Sequence, residues 1–216
     1  MKYHEYVFEG NPGAGKTTVM QRLSSALEEK NLKFEVKAPF RIVKEHLRET
    51  RGGEDPLYDI WQSKNLVDAE MALGLLRQTI LQSRNEITSL QEEGTAILLY
   101  DRGWLTLLRA LEDLGRTSDI IDGERDFWLN HGQVPDTFFI TTPSRVSIQA
   151  NTTRGLQADW RFSEETLRND HARRATLIDD FHHRVIERFE VQSIDQDRGP
   201  IIAAIQAHIL NRLDTI

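Results

Sequence analysis

An α/β fold, with a parallel sheet flanked by helices on both faces, is predicted for this 216-residue chain by three observations. Residues Gly10 to Thr17 read G-N-P-G-A-G-K-T and fill every fixed position of the phosphate-binding pattern G-x-x-x-x-G-K-[ST]. A β-prone run precedes this loop and a run with helical spacing follows it, which is the context the pattern needs. Beyond it, short apolar runs alternate with longer stretches of helical period, the signature of parallel strands joined by helical crossovers. Four fixed positions match by chance in roughly one chain in a hundred of this length. Motif and context together therefore predict a nucleoside triphosphate site.

The elements follow in order. Tyr3 to Phe8 alternates in character and is rich in β-formers, so it reads as the first strand. Val19, Leu23, Ala26 and Leu27 recur at helical spacing after the loop. Lys33 to Ala38 reads as a short second strand ended by Pro39, followed by a helix over Arg41 to Thr50 and a loop over Arg51 to Pro56. Leu66, Ala69, Leu73, Leu76, Ile80, Ile87 and Leu90 mark one or two long helices closed by Gly94. Ala96 to Tyr100 is apolar at successive positions, as a central parallel strand is, and Asp101-Arg102-Gly103 stands at its end. Helices over Trp104 to Leu114 and Asp122 to His131 lead to a strand at Thr137 to Thr141 and a helix starting near Pro143. A polar segment from Asn151 to Phe162 interrupts the pattern. A long helix over Ser163 to Phe189, a strand at Val191 to Ile194 and a helix over Pro200 to Leu213 complete the reading.

Composition narrows the classes. The length suits a single domain spanning 1–216, without repeats or a flexible linker. The absence of cysteine excludes disulfides and fits a cytoplasmic setting. No apolar run approaches a membrane span, so a membrane partner is not expected. A formal charge of −7 makes nucleic acid an unlikely partner and favours a small anionic ligand held in a local basic site.

The chemistry concentrates beyond the carboxyl ends of the strands, where open parallel sheets bind ligands. Gly10, Asn11, Pro12, Gly13, Ala14, Gly15, Lys16, Thr17 and Thr18 form the triphosphate-binding set. Glycines let the backbone N–H groups wrap phosphate, and the following helix adds its positive end. Lys16 is expected to reach the β- and γ-phosphates and the Thr17 hydroxyl to ligate Mg²⁺. Asp101, closing an apolar strand, has the position of an acid that holds Mg²⁺ directly or through water. Arg102 beside it offers a planar fork for phosphate oxygens. Arg154 and Arg161 flank a segment placed where small-molecule kinases carry a lid, at about 151–162; a lid arginine there stabilises charge in the transition state. Trp61, Trp104, Trp128 and Phe40 read as core residues, one of which is a candidate lining for an acceptor pocket.

These residues carry a resemblance. Phe8 to Thr18, F-E-G-N-P-G-A-G-K-T-T, is similar to the opening of thymidylate kinases and the related deoxynucleoside kinases. Gly94 to Arg102 resembles the strand and Asp-Arg pair of thymidylate kinases, Phe138 to Gly155 their strand, helix and lid arginine, and Val191 to Asp197 their terminal strand and adenine-side loop. The resemblance spans the chain, with only the phosphate loop specific by itself. It implies a P-loop NTPase fold with a five-stranded parallel sheet and a small lid, ATP and Mg²⁺ as cofactors, a nucleoside or nucleotide acceptor, and commonly a homodimer. It implies an acceptor site with Lys37 in place of a phosphate-binding arginine and with Leu73 and Arg77 near the places of the family's base-stacking phenylalanine and its neighbouring arginine; Phe40 and Arg102 complete the expected acceptor set. The chain departs from the family at Pro12, where an acid is usual, and at Lys37-Ala38-Pro39-Phe40, which stands for Arg-Glu-Pro-Gly.

The expected activity is ATP-dependent phosphoryl transfer to a small nucleotide, a pyrimidine deoxynucleoside monophosphate above others. Deoxynucleoside kinases use a glutamate base after strand two, and none stands between Val36 and Lys44; Glu9 and Glu45 are the carboxylates that could substitute. The alternatives are a deoxynucleoside kinase, a kinase of a modified nucleotide or other small metabolite, and a regulatory module that only binds nucleotide.

Overall fold

The computed structural model describes residues 4–213 apart from Glu54, Lys64, 93–96, 114–117, 131–134 and 154–184, with Glu165, Arg168, Asn169, Ala172, Thr176 and Asp179 of the last stretch described. Strands β1 (His4–Glu9), β2 (Phe34–Lys37), β3 (Ile97–Asp101), β4 (Asp136–Thr141) and β5 (Val185–Glu190) form one five-stranded, all-parallel sheet in the order β2-β3-β1-β4-β5. Around it lie α1 (Lys16–Glu29), α2 (Pro39–Arg51), α3 (Pro56–Ser63), α4 (Leu66–Glu92), α5 (Trp104–Asp113), α6 (Ser118–Asn130), α7 (Ser144–Thr153) and α8 (Gly199–Leu213). The chain leaves β1 toward one edge, returns in β3, and later crosses to β4 and β5 on the other side, so the strand order turns about β1. Parallel sheets open a crevice at the carboxyl ends of such strands.

Side-chain alternation along each strand divides the core in two. Val7, Leu98, Tyr100 and Phe139 face one layer, where they meet Val43, Leu47, Leu73, Leu76, Trp104 and Trp128 from α2, α4, α5 and α6. Tyr6, Phe8, Ile97, Leu99, Phe138 and Ile140 face the other, packed by Val19, Leu23 and Leu27 of α1 and by Ile201, Ile205 and Ile209 of α8. The central strands are buried on both faces, which explains their unbroken apolar runs.

Several elements differ from the sequence reading. The expected loop over Arg51 to Pro56 is shorter, since Arg51 ends α2 and Pro56 opens a helix, Pro56–Ser63, that the sequence reading did not assign, with Leu57 and Ile60 buried. Helix α2 starts at Pro39, whose missing N–H costs nothing in a first turn. Val185–Glu190 is the last strand, whereas the sequence placed a helix there and a strand at Val191 to Ile194. Val185, Ile186 and Phe189 have helical spacing, but pairing with β4 decides the conformation, through a register shift at Thr137/Phe138. Asn151, Thr152 and Thr153, expected in the lid, belong to α7. The rest of the expected lid and the closing Gly94 lie outside the described residues. No helix among the described residues is long and apolar enough to cross a membrane.

Leu23 has no exposed surface, so Leu23→Ala is expected to lower the unfolding free energy by about 2–5 kcal/mol in urea denaturation. A second expectation concerns His208 on α8, whose ring meets the edges of Tyr6 and Phe138 at 6.0 and 5.6 Å between centroids. Burial lowers its pKa below the ordinary 6.5; Asp136 and Glu187 oppose this and Arg212 adds to it. The unfolded chain binds the proton more readily, so this contribution to stability is complete above about pH 6.5 and is lost as pH falls through the folded value. Melting temperature should therefore drop between pH 7.5 and 5.5 in the wild type and drop less in His208→Phe.

Candidate functional site

The turn from β1 to α1 is built by three glycines in conformations that residues with a side chain rarely adopt. Gly10 has φ 141°, and a Cβ there would overlap the carbonyl oxygen of Ile140 in β4. Gly13 and Gly15 have φ 77° and 84°, the left-handed region that glycine enters without strain. Asn11, with no exposed surface, clamps the loop to the end of β4: its Nδ2 donates to Thr142 O at 2.8 Å and its Oδ1 accepts from Thr142 N at 3.0 Å. Ser147 Oγ of α7 donates to the Pro12 carbonyl. Lys16 folds back over the loop, its Nζ 3.0 Å from both Gly10 O and Asn11 O. Thr17 and Thr18 stand exposed in the first turn of α1, which carries no acidic residue. The positive end of the helix is thus left unopposed by its own side chains, a setting that favours an anion.

A second turn, from β3 to α5, lies beside it because Phe8 pairs with Asp101 across the sheet. Arg102 has φ 67°, a costly conformation for a residue with a side chain, and its N–H donates to Phe8 O at 3.1 Å. Glu9 holds the remainder. Its carboxylate is fully buried, accepts from the N–H groups of Gly103 and Thr106 at 2.8 and 3.1 Å, and accepts from Thr106 Oγ1 at 2.6 Å. It therefore caps α5 from a neighbouring strand, where the helix end favours negative charge. Gly10 to Thr18, Asp101 and Arg102 consequently share one end of the sheet.

The expected acceptor residues are differently employed. Lys37, closing β2, lies 2.6 Å from Glu35 and 2.7 Å from Glu86 of α4. Burial pulls its pKa down, but the hydrogen bonds and charges of the two carboxylates outweigh this and leave it above the ordinary value. Arg77 sits 3.7 Å above the Phe127 ring and 3.4 Å from Glu124, joining α4 to α6. Phe40 packs against the core layer beneath α2, and Trp104 and Trp128 are core residues. Glu45 is exposed on α2, 4.0 Å from Arg41. Arg154 and Arg161 lie outside the described residues, as does the side chain of Trp61.

The sequence reading missed the cap by Glu9, although an acid ending an otherwise apolar strand is a signal, since a buried charge needs partners. It also missed Arg198, which is 7% exposed and lies against the glycine loop; a Cβ on Gly15 would come 3.3 Å from its Nε. Its guanidinium donates to the carbonyls of Gln196, Ser193 and Ile194, fixing the loop after β5. Burial and nearby Arg22 lower its pKa, against Asp195 and Asp197. Between this loop, Thr18 and Arg22 opens a polar cleft of about 360 Å³, adjoining the start of α1. Compared with protein-family models and with curated proteins, the chain matches none.

Glu9→Ala would leave three donors of the α5 turn without their acceptor. It should lower the unfolding free energy by at least about 2 kcal/mol in urea denaturation, with Glu9→Gln losing less.

Proposed function

We propose that the chain is a phosphotransferase with a P-loop NTPase fold and a lid, moving the γ-phosphoryl group of MgATP to a small nucleotide, foremost a pyrimidine deoxynucleoside monophosphate. The observation that carries this reading is the glycine turn of residues 10–15, pinned at Asn11 and Pro12 and opening onto a helix start with no acid in its first turn. The polar cleft beside Thr18 and Arg22 is a suitable seat for the base and ribose of the donor. Thr17 and Asp101 supply hard oxygen ligands on adjoining turns, which suit Mg²⁺. When bound, the cation neutralises charge on the transferring group.

Loop N–H groups and Lys16 orient the triphosphate, Arg102 faces the acceptor, and Arg154 with Arg161 excludes water. An acceptor oxygen attacks the γ-phosphorus as its bond to the β-phosphate bridge breaks, and ADP leaves. Positioning and electrostatics supply most of the rate. A phosphate acceptor fits better than a hydroxyl, because it needs little base catalysis near neutral pH. Glu9 is committed to α5 and Glu45 to the outer surface of α2. Lys37 contributes to the acceptor site only if it gives up Glu35 and Glu86.

Purified protein with MgATP should convert one member of a panel of deoxynucleosides, their monophosphates and ribonucleotide counterparts, with products identified by mass. A diphosphate product from one monophosphate is the expected result. Phosphorylation of a nucleoside alone would select the deoxynucleoside kinase alternative, and ATP binding without transfer would select another acceptor or a regulatory module. Lys16→Ala should reduce turnover by about 10²–10³-fold in protein that still folds; near-normal turnover would refute the assignment.

A further inference from the structure

Helix α7 closes one side of the glycine loop. A Cβ on Gly13 would lie 3.1 Å from both Cα and O of Ser147 and 3.2 Å from the Ala150 Cβ, so the helix fills that side and leaves no room there for a ligand. Ser147 has no exposed surface, and across this contact its Oγ donates to the Pro12 carbonyl. The peptide between Pro12 and Gly13 is planar and trans, which sets its N–H opposite to its C=O. With the oxygen held on α7, the Gly13 N–H points away from the helix, toward the side of the loop that α7 leaves open.

The residue types of the loop do not themselves fix that orientation. Rotating this peptide plane changes ψ of Pro12 and φ of Gly13, and glycine takes either sign of φ with similar ease. The two orientations have opposite electrostatic effects: one presents an N–H donor to an anion, the other a carbonyl oxygen that repels it. Gly10 O and Asn11 O are held from within the loop by Lys16, whereas Pro12 O is held from α7. We propose that Ser147 is a positioning residue for the nucleotide, whose hydroxyl keeps the Pro12–Gly13 peptide turned so that the Gly13 N–H donates to a phosphate oxygen. This rests on the nucleotide-binding reading above and adds to it a determinant outside the pattern G-x-x-x-x-G-K-[ST].

Pro12-Gly13 is the only Pro-Gly pair in the sequence, so proline labelled with ¹³C at the carbonyl and glycine labelled with ¹⁵N isolate the Gly13 amide in an NMR spectrum of the full chain. In wild type the amide proton should move downfield as MgATP saturates the protein, as an N–H does on donating to a charged oxygen. Folded Ser147→Ala should bind MgATP at least about fivefold more weakly in titration calorimetry. A Gly13 amide that stays in place at saturation overturns the proposal. So does MgATP affinity within twofold of wild type in Ser147→Ala, and a lower melting temperature alongside that unchanged affinity would make the hydroxyl a structural group. The wild-type spectrum needs no variant and decides the matter even where Ser147→Ala does not fold. If wild type binds MgATP, Lys16→Ala binds it more weakly and the Gly13 amide does not respond, only this positioning role fails. If wild type does not bind MgATP, the functional reading fails and the positioning role with it.

Discussion

The buried carboxylate of Glu9 is the constraint around which the working end of the sheet is arranged. A carboxyl group with no exposed surface needs partners, and Gly103 together with Thr106 in the first turn of α5 supplies three donors. Satisfying that need draws α5 against the end of β1 and fixes the path of Asp101-Arg102-Gly103 between them. The next two residues work in the opposite direction: Gly10 admits the backbone of β4 at close range, and Asn11 grips Thr142. Four successive residues, Phe8 to Asn11, thus join the glycine loop to both neighbouring strands. Its position depends on hydrogen bonds from outside the loop as much as on its glycines.

This bracing extends to the neighbouring loop. Thr142 Oγ1 donates to Val191 O at 2.6 Å, connecting the end of β4 to the chain leaving β5. Arg198 then gathers the carbonyls after β5 and lies against Gly15. A cation in that place is costly to bury, as the fall in its pKa indicates, and it lines the polar cleft beside the exposed Thr18. The turn at Gly10 to Gly15 and the turn at Asp101 to Gly103 are therefore braced by different parts of the chain.

How much was legible in the sequence follows from how local each determinant is. The loop, β1, β3 and β4 were readable because their signals are contiguous: glycines at fixed spacing, or apolar runs buried on both faces. Strand β5 was not, because at a sheet edge the pairing partner outweighs a short run whose apolar spacing suits a helix. The roles of Lys37 and Arg77 were hidden for another reason. A cation is visible in a sequence, but the partners that tie these two to other elements stand 49 and 47 residues away, in Glu86 and Glu124. Asp101 and Arg102 were placed correctly at the end of a strand, yet the positive φ of Arg102 carries no mark in its residue type. Arginine gives no hint of a left-handed turn as glycine would.

The layer that seals α1 has a consequence for how the protein assembles. Val19, Leu23 and Leu27 find their cover in Ile201, Ile205 and Ile209 of α8, and Gln206 Nε2 reaches Ala26 O at 3.5 Å. These partners are far apart along the chain, and contacts of that kind form slowly because a long loop must close first. On the ribosome, one apolar flank of α1 stays unshielded until α8 has emerged. During that interval the nascent chain presents a sticky surface for chaperones or for other unfinished chains.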